Sequence, residues 1–190
     1  INKMAERIGT PANLQHSIRA TGHTRRLWEA VLAVEQPIIA AINGHAMGLG
    51  CSIALFCDIT VMAEDAKIGD THTKMGLVAG DGGAVIFPLL LGFARGKEFL
   101  MRSKVVNGKE AERIGLVSYS YPKEQVLDEA MKIARELADL PTWAVRWTKL
   151  AVQKPVKAHF NDTLDVSIAY EMLTMQDEPH FEAVRAFKEK

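Results

Sequence analysis

The sequence predicts an α/β protein that ends in a helical region. Two apolar runs, QPIIAAINGHA and ITVMAE, are continuous rather than alternating, which is typical of strands buried on both faces of a sheet. Segments with helical periodicity lie before, between and after these runs, and strands that alternate with helices are typical of the α/β class. From Lys123 onward every segment has a helical pattern. We therefore expect an α/β core over residues 1–122 and a C-terminal helical region over residues 123–190.

The other elements are predicted in order along the chain. An amphipathic helix covers residues 13–34, and a second helix lies in GLGCSIALFCD and ends at Asp58. Two short helices follow in GGAVIFPLLLG and ARGKEFLMRS. The segment VVNGKEAERIG then gives a short strand and a helix ended by Gly115, and LVSYSYP gives a strand ended by Pro122. In the C-terminal region we expect four helices, at residues 123–139, 142–153, 157–174 and 178–189. Breaks are expected at Pro141, Pro155 and Pro179, because proline lacks an amide hydrogen and disfavours a helical residue before it.

The composition excludes two classes of partner. The chain has 190 residues with 23 Lys and Arg against 23 Asp and Glu, so no basic surface for nucleic acid is expected. No apolar run approaches the roughly 20 residues that a membrane-spanning helix needs, so no membrane partner is expected. Cys51 and Cys57 fall on different faces of one predicted helix, which disfavours a disulfide, and no histidine accompanies them to form a metal site. Free cysteines indicate a reducing compartment, so we expect a cytoplasmic protein without a metal.

The stretch AKIGDTHTKMGLVAGDGG is rich in glycine and contains two candidate functional side chains, His72 and Asp81. Glycine at this density marks backbone that takes a positive φ angle or lies close to another group. His72 can exchange protons near neutral pH, whereas Asp70 is expected to be a turn residue. Asp81 can act as a base or can cap a helix that begins at Gly82, since aspartate is a favoured N-cap. The residues alone leave open whether this stretch carries acid–base groups or ordinary loop and cap residues.

A longer motif points to a family. The string QPIIAAINGHAMGLGCSIALFCDITVMAEDAKIG closely resembles the crotonase (enoyl-CoA hydratase/isomerase) superfamily, and GKEAERIGLVSYSYP, PTWAVRWTKLAV and FEAVRAFKEK match its later segments. The similarity covers residues 35–190. It implies a spiral of ββα units followed by C-terminal helices that pack in a homotrimer or hexamer. It also implies an acyl-CoA substrate, with no cofactor besides the coenzyme A that the substrate carries.

The same resemblance implies an oxyanion site made of two backbone N–H groups. One donor aligns with Leu49, between Gly48 and Gly50 at the start of a helix, where unpaired N–H groups can bind an anion. The other donor belongs to an upstream S/A-A-G-x-D-[LF] segment that this chain does not contain. We therefore expect the N-terminal part of the spiral to be absent from the chain. Lys190 aligns with a lysine that meets the coenzyme A phosphates in relatives.

The positions of the acid and the base depart from the family pattern. Where a typical hydratase has two glutamates, this chain has Ser52 in GCS and His72 in GDTH. Asp81 follows Gly80 in AGDGG, which aligns approximately with a loop where several branches of the superfamily place a functional aspartate. We expect Asp81 to be exposed and held by N–H groups, which favours its ionised form. The resemblance therefore implies that His72 and Asp81 are catalytic, with Gly48, Gly50, Ser52 and Gly80 beside the substrate.

The expected function is acyl-CoA processing, either hydration of an enoyl-CoA or isomerisation of its double bond. One base can carry the proton in isomerisation, whereas hydration needs both an acid and a base. Two alternatives remain open. One is an acyl-CoA hydrolase of the same fold, cleaving a thioester or a carbon–carbon bond, and the other is a catalytically silent subunit that binds acyl-CoA. Loss of both glutamates favours the silent subunit, and a charged residue among glycines argues against it.

Overall fold

The computed structural model describes the backbone of residues 11–189. The predicted helices and strands lie in the predicted order, together with short strands at residues 46–47 and 67–69 that were not predicted from the sequence. The helices are α1 (Pro11–Ala33), α2 (Leu49–Leu55), α3 (Gly83–Leu91), α4 (Phe93–Met101), α5 (Gly108–Arg113), α6 (Val126–Ala138), α7 (Thr142–Thr174) and α8 (Glu178–Lys188). The strands are β1 (Ile39–Ile42), β2 (Ala46–Met47), β3 (Ile59–Ala63), β4 (Lys67–Gly69), β5 (Val105–Asn107) and β6 (Tyr119–Tyr121). Short 3-10 turns lie at Thr73–Met75 and Lys123–Gln125. The prediction of an α/β fold with a C-terminal helical region is confirmed.

The strands of the described residues form two small sheets. One sheet has the order β1-β3-β6 with all strands parallel, so that Ala41 pairs with Val61 and Val61 pairs with Tyr119. The other has the order β2-β4-β5, in which β4 runs parallel to β2 and antiparallel to β5. The central strand β3 is deeply buried, since Val61, Met62 and Ala63 have no exposed surface. Burial on both faces explains why its sequence is continuously apolar.

The second sheet places the start of α2 beside the end of β4. The Gly48 N–H donates to the Gly69 carbonyl (3.1 Å), which continues the pairing of β2 with β4 up to the residue before α2. Gly48 has φ +53° and ψ −127°, a backbone conformation that favours glycine strongly. The N-terminus of α2 is therefore fixed against the segment that follows β4.

Two of the differences from the predicted helices have a clear structural cause. Helix α2 ends at Leu55 rather than at Asp58, whose carboxylate accepts the Ile38 N–H (2.7 Å) and so belongs to the turn between α2 and β3. Helix α7 runs unbroken through Pro155, where the sequence predicts a break. A proline inside a helix costs about 3 kcal/mol. Burial of apolar α7 side chains such as Phe160 against the rest of the core offsets that cost.

The C-terminal helices are packed onto the segment that contains His72 and Asp81, which we call the glycine-rich loop (residues 70–83). Three hydrogen bonds join side chains of α7 and α8 to its backbone: Ser167 Oγ donates to the Gly80 carbonyl (3.1 Å), the Val78 N–H donates to Thr174 Oγ1 (3.1 Å), and His180 Nδ1 donates to the Met75 carbonyl (2.7 Å). The division into two units at residue 122 stays a prediction. The helical region nevertheless helps to hold the loop where the candidate functional residues lie.

The tryptophans of α7 lie at the surface. Trp143 and Trp147, which the sequence suggests as core or interface residues, are 58% and 62% exposed, so they are not core residues. Trp28 of α1 is instead fully buried, and its ring stacks on Phe56 with 4.2 Å between ring centroids. Its indole N–H donates to the Asp81 carbonyl (3.0 Å), which ties α1 to the glycine-rich loop.

The two cysteines lie in α2 and just after it. Cys51 is buried, Cys57 is half-buried, and both are free. Burial raises the pKa of both thiols, so neither is set up as a nucleophile at neutral pH. Among residues 11–189, no helix is both long enough and apolar enough to cross a membrane.

Candidate active site

Four ionisable side chains, three from the glycine-rich loop and one from α7, meet at one point. Asp70 directly follows β4, His72 precedes the first 3-10 turn, and Asp81 precedes α3. Glu171 lies on α7 near its C-terminal end. Ser52, in the first turn of α2, completes the group from the other side. They come together because the start of α2 and the helix α7 both contact the glycine-rich loop.

The Nδ1 edge of the His72 ring is hydrogen-bonded to a buried carboxylate. Asp70 Oδ1 lies 2.9 Å from His72 Nδ1 and also accepts the backbone N–H of His72 (3.0 Å). The Asp70 side chain has no exposed surface. Two bonds to one buried oxygen fix both the position and the orientation of the ring, so that Nε2 points toward the remaining groups of the site.

The other ring nitrogen faces two more carboxyl groups. His72 Nε2 lies 3.4 Å from Asp81 Oδ2 and 3.8 Å from Glu171 Oε1. Ser52 Oγ donates to the second oxygen of Asp81 at 3.5 Å. The His72, Asp81 and Glu171 side chains are 11%, 14% and 8% exposed. The site is thus largely shielded from water, but His72 and Asp81 keep some exposed surface.

The electrostatics of the site follow from this geometry. Burial acts to lower the pKa of His72, but its hydrogen bonds to Asp70 and Asp81 outweigh that effect and raise the pKa to about 10. Burial raises the pKa of Glu171 to about 7, although the positive charge of His72 acts in the opposite direction. At neutral pH His72 is therefore an imidazolium, while Glu171 lies near the midpoint of its titration.

The prediction that Asp81 is an exposed residue held by N–H groups is wrong, and so is the alternative that it caps a helix. The N-cap of α3 is Gly82, and no side chain caps this helix end. The Asp81 side chain turns away from the helix toward His72 and Ser52. Gly82 has φ +124°, which lets the chain turn into α3 while Asp81 points into the site.

The predicted oxyanion donor lies beside His72. Leu49 is the first residue of α2, so its N–H has no acceptor within the helix. A Cβ atom on Gly48 would lie 3.6 Å from His72 Cε1, which puts the Gly48 backbone against the edge of the imidazole ring. Gly50 faces open space, with nothing within 4 Å of an added Cβ. Two of the predicted substrate-binding glycines thus flank an amide near the site.

Gly80 lies against α7 rather than in the open part of the site. An added Cβ would lie 2.5 Å from the Ser167 carbonyl oxygen and 2.6 Å from Glu171 Oε2, closer than real Cβ contacts allow. Gly80 is buried, and its own carbonyl accepts the Ser167 hydroxyl. The residue therefore makes room for α7 and its glutamate. Its predicted contact with substrate stays a prediction.

Gly80→Ala is expected to lower the free energy of unfolding by about 1–3 kcal/mol, the usual cost of overpacking. The obstacle includes the backbone of α7, which cannot swing aside as a flexible side chain can. Urea denaturation of the wild type and the variant measures the loss. Gly44→Ala is the matched control, since an added Cβ there meets nothing within 4 Å, and a change within about 0.5 kcal/mol is expected. Equal unfolding energies for the two variants would contradict the close approach of α7.

Sequence reasoning missed two of the four ionisable residues. Asp70, expected to be a turn residue, is instead fully buried and bonded to His72. A local signal existed, because an aspartate two residues before a histidine can reach its ring. Glu171 has no such signal, since it lies on a helix remote in sequence from the glycine-rich loop. Lys190, the predicted contact for coenzyme A phosphates, lies outside the described residues.

Three of the four residues also have the geometry of a possible metal site. Ligand atoms of Asp70, His72 and Asp81 all lie within 4.8 Å of one another. A cation at this point would compete with the proton on His72, because a histidine ligand must be neutral. The expectation that the protein has no metal stays a prediction.

A large apolar cavity lies elsewhere in the described structure. It has a volume of about 720 Å³, is lined mainly by apolar side chains of α2, α3, α6 and α7, and includes none of the four ionisable residues. Phe56 lines this cavity and stacks on Trp28, whose indole N–H bonds to the backbone of Asp81. The stacked pair therefore links the lining of the apolar cavity to the loop that carries Asp81. The cluster is the candidate active site because it holds the groups that can do chemistry.

The sequence matches a known family model and is similar to curated proteins. The family model described as enoyl-CoA hydratase/isomerase matches residues 4–190. Crotonyl-CoA hydratase from Syntrophomonas wolfei is 32% identical over 166 residues, which are 87% of this chain and 64% of the relative. The chain spans about half to two thirds of the length of the curated relatives it matches.

Solved structures of similar sequence share the fold of this chain. An enoyl-CoA hydratase/isomerase from Mycobacterium paratuberculosis superposes with a TM-score of 0.87 at 27% identity, covering 96% of this chain and 72% of that protein. A β-diketone hydrolase from the cyanobacterium Anabaena, solved with (S)-3-oxocyclohexyl acetic acid bound, superposes with a TM-score of 0.80 at 28% identity, covering 87% of this chain and 66% of that protein. These similarities confirm the family that the sequence motifs predict.

Proposed function

Because this chain belongs to the enoyl-CoA hydratase/isomerase family, we propose that it hydrates an enoyl-CoA, with His72 and Asp81 as the acid and the base. The observation that carries the proposal is the approach of His72 Nε2 to Asp81 Oδ2 at 3.4 Å, which puts an imidazolium and a carboxylate at one point. A crotonyl-CoA hydratase is among the relatives.

An acid and a base together favour addition of water over isomerisation. In hydration, Asp81 takes a proton from water while the water oxygen bonds to the β-carbon, and the electrons of the double bond move onto the thioester as an enolate. His72 then gives its Nε2 proton to the α-carbon. The proton on Asp81 returns to His72 across the short gap between them, so the site ends as it began. Isomerisation needs only one of these groups and leaves the other without a role.

The enolate oxygen is the group that needs stabilisation in this reaction. The Leu49 N–H, at the start of α2 and beside the His72 ring, is the donor that we assign to it. Preorganised N–H donors of this kind contribute roughly 2.7–4 kcal/mol each to transition-state stabilisation in a studied case. No second donor is assigned from this chain. Gly48 and Gly50 leave the approach to the Leu49 amide uncovered by side chains.

A second candidate is hydrolysis of a carbon–carbon bond between two carbonyl groups. The observation that favours it is the bond from buried Asp70 to His72 Nδ1, an arrangement that orients a histidine in many hydrolases. The similarity to a β-diketone hydrolase supports it as well. Here Asp81 takes a proton from water as the water oxygen bonds to one carbonyl carbon, and the bond from that carbon to the carbon between the two carbonyls then breaks to release an enolate. His72 protonates the enolate carbon, and the proton on Asp81 returns to His72. The same residues serve both reactions, so only the substrate distinguishes them.

The expected homotrimer or hexamer is part of the proposal. It is supported by apolar side chains on the outer face of α7, where Trp143, Trp147 and Val152 are more than half exposed. Exposed aromatic residues of this size are common at protein interfaces.

The proposed function is tested by assaying the full chain against a panel of substrates. Loss of the conjugated-thioester absorbance from 2-enoyl-CoA thioesters would support hydration, and a gain of that absorbance from 3-enoyl-CoA thioesters would support isomerisation instead. Release of a carboxylic acid from a 1,3-diketone would support the second candidate, and release of free thiol from a saturated acyl-CoA would indicate a thioesterase. Binding of acyl-CoA without any turnover on the panel would contradict the proposal and favour a silent subunit.

Asp81→Asn is expected to lower kcat by about 10²–10⁴, the usual worth of a positioned acid or base. The amide keeps the size of the side chain but cannot take a proton from water. Substrate affinity, measured as Kd by calorimetry, is expected to change little. Asp162→Asn on the exposed face of α7 is the control and is expected to keep wild-type kcat. Wild-type turnover in Asp81→Asn would rule out Asp81 as the base.

A further inference from the structure

Glu171 is the ionisable residue of the site that the proposed reaction does not use. Its carboxyl group is 8% exposed and lies 3.8 Å from His72 Nε2, beside the position that Asp81 occupies. A buried carboxyl group in an apolar helix interface is costly unless it has a partner. The only cation among the groups that surround it in the described structure is His72.

The packing of α7 directs Glu171 at this point. Gly80 has no side chain, and Glu171 Oε2 lies 2.6 Å from the position that a Cβ would take there. The absence of a side chain at Gly80 therefore leaves room for the Glu171 carboxyl group beside the imidazole. The Ser167 hydroxyl, one turn earlier on α7, holds the same part of the loop through the Gly80 carbonyl. The close packing of α7 on Gly80 therefore helps to fix the position of the Glu171 carboxyl group.

The charged groups around Glu171 can be named element by element. The glycine-rich loop supplies His72, Asp70 and Asp81, while the sequence of α3 contains no titratable residue. On α1, Arg25 is bonded to Asp165 of α7 rather than to Glu171. On α8, His180 is bonded to the Met75 carbonyl, as described above. His72 is thus the group through which a change of charge on Glu171 reaches the reaction.

We propose that Glu171 is a positioning residue whose carboxyl group controls, through His72, how firmly the imidazolium keeps the proton that the reaction delivers to carbon. The proposal rests on the proposed function only in naming the reaction that uses this proton. An ionised Glu171 stabilises the imidazolium and makes it a weaker acid, whereas a neutral Glu171 does not. Burial raises the pKa of Glu171 to about 7, so both forms are present near neutral pH.

The sign of the pH effect follows directly. Below about pH 7 Glu171 is protonated and His72 gives up its proton more readily. Above that pH Glu171 is ionised, His72 holds its proton more tightly, and proton delivery slows. The rate limited by this step is therefore expected to fall as the pH rises through about 7.

The direct test is the titration of His72 followed by NMR in protein labelled at histidine, which needs no substrate. In the wild type, the His72 signal is expected to show one inflection near pH 7 from Glu171 and a second near pH 10 from its own titration. Glu171→Gln should remove the first inflection and lower the pKa of His72, because a negative charge 3.8 Å from Nε2 is lost. Glu136→Gln, at an exposed position of α6, is the control and should leave both unchanged. An unchanged His72 titration in Glu171→Gln overturns the proposal.

Two further measurements keep the test decisive. Glu171→Asp retains a carboxylate that is one methylene farther from His72. The His72 titration of this variant should therefore keep the inflection that Glu171 causes, with a smaller size. Complete loss of that inflection in a folded Glu171→Asp variant overturns the proposal. With a substrate that turns over, wild-type kcat should fall by up to about tenfold as the pH rises through 7, since one pKa unit is a tenfold change in proton release. Glu171→Gln should lack that fall, and its persistence overturns the proposal. Failure of every substrate contradicts only the proposed function, because the NMR titration still decides the role of Glu171.

Discussion

Replacing His72 with alanine is expected to lower kcat by about 10²–10⁴. His72 is the only side chain of the described site that is cationic at neutral pH, and no neighbouring group can donate a proton from the same place. Asp81 would remain as a base, so water could still be activated, but the carbanion formed would have no acid beside it. Substrate binding is expected to persist, since the Leu49 amide is untouched. Steady-state kinetics with a binding measurement checks both parts.

The control for this variant is His23→Ala, at an exposed position of α1, which should keep wild-type kcat.

The His72→Ala variant also tests the ion pairs of the site through the pH dependence of its stability. Because the folded-state pKa of His72 is raised from 6.5 to about 10, the stability that it contributes is fully present below about pH 6.5 and is lost as the pH rises through 10. The difference in unfolding free energy between wild type and His72→Ala should therefore narrow from about pH 6 to pH 10. A difference that widens with pH would contradict the ion pairs described here.

Asp70→Asn is expected to have the second large effect, with kcat reduced by about 10² or more. In a serine protease, the equivalent change of an aspartate that orients a histidine costs about 10⁴. The asparagine side chain removes the charge that holds the proton on Nδ1, and its NH₂ group can face Nδ1 instead and turn the ring. The pKa of His72 should fall by about 1–3 units, since an opposite charge in contact is lost.

Kinetics together with an NMR titration of His72 measures these effects. Asp65→Asn, an exposed residue in the turn before β4, is the matched control and should change neither kcat nor the His72 pKa. Retention of the raised His72 pKa in Asp70→Asn would mean that Asp81 alone holds the proton. A normal kcat with a lowered pKa would mean that the charge of His72 is not used in the reaction.

The fold could be predicted from the sequence because its signals are local. The continuous apolar run of β3 and the glycine before α2 each determine a structure within a few residues. The break predicted at Pro155 is wrong because the rule for proline is also local, whereas the cost of the proline in α7 is offset by burial against α1 and α3. Tertiary packing of this kind cannot be seen in a window of the sequence.

The site was predicted only in part for the same reason. His72 and Asp81 stand out because each is a charged residue among glycines. Asp70 resembles a turn residue until its burial is known, and Glu171 resembles any polar position of a long helix. Whether Asp81 caps α3 or faces His72 depends on the positive φ angle of Gly82, which the sequence permits but does not determine.

The contacts of α7 and α8 with the glycine-rich loop have a consequence for synthesis of the protein. The bond between His180 and the Met75 carbonyl closes a separation of 105 residues. A ribosome therefore makes His72, Asp70 and Asp81 long before it makes the helices that hold them, and contacts so distant in sequence form late. A nascent chain carries most of the acid–base residues without their arrangement. The emergence of the last helices is then the event that turns a set of reactive side chains into a site.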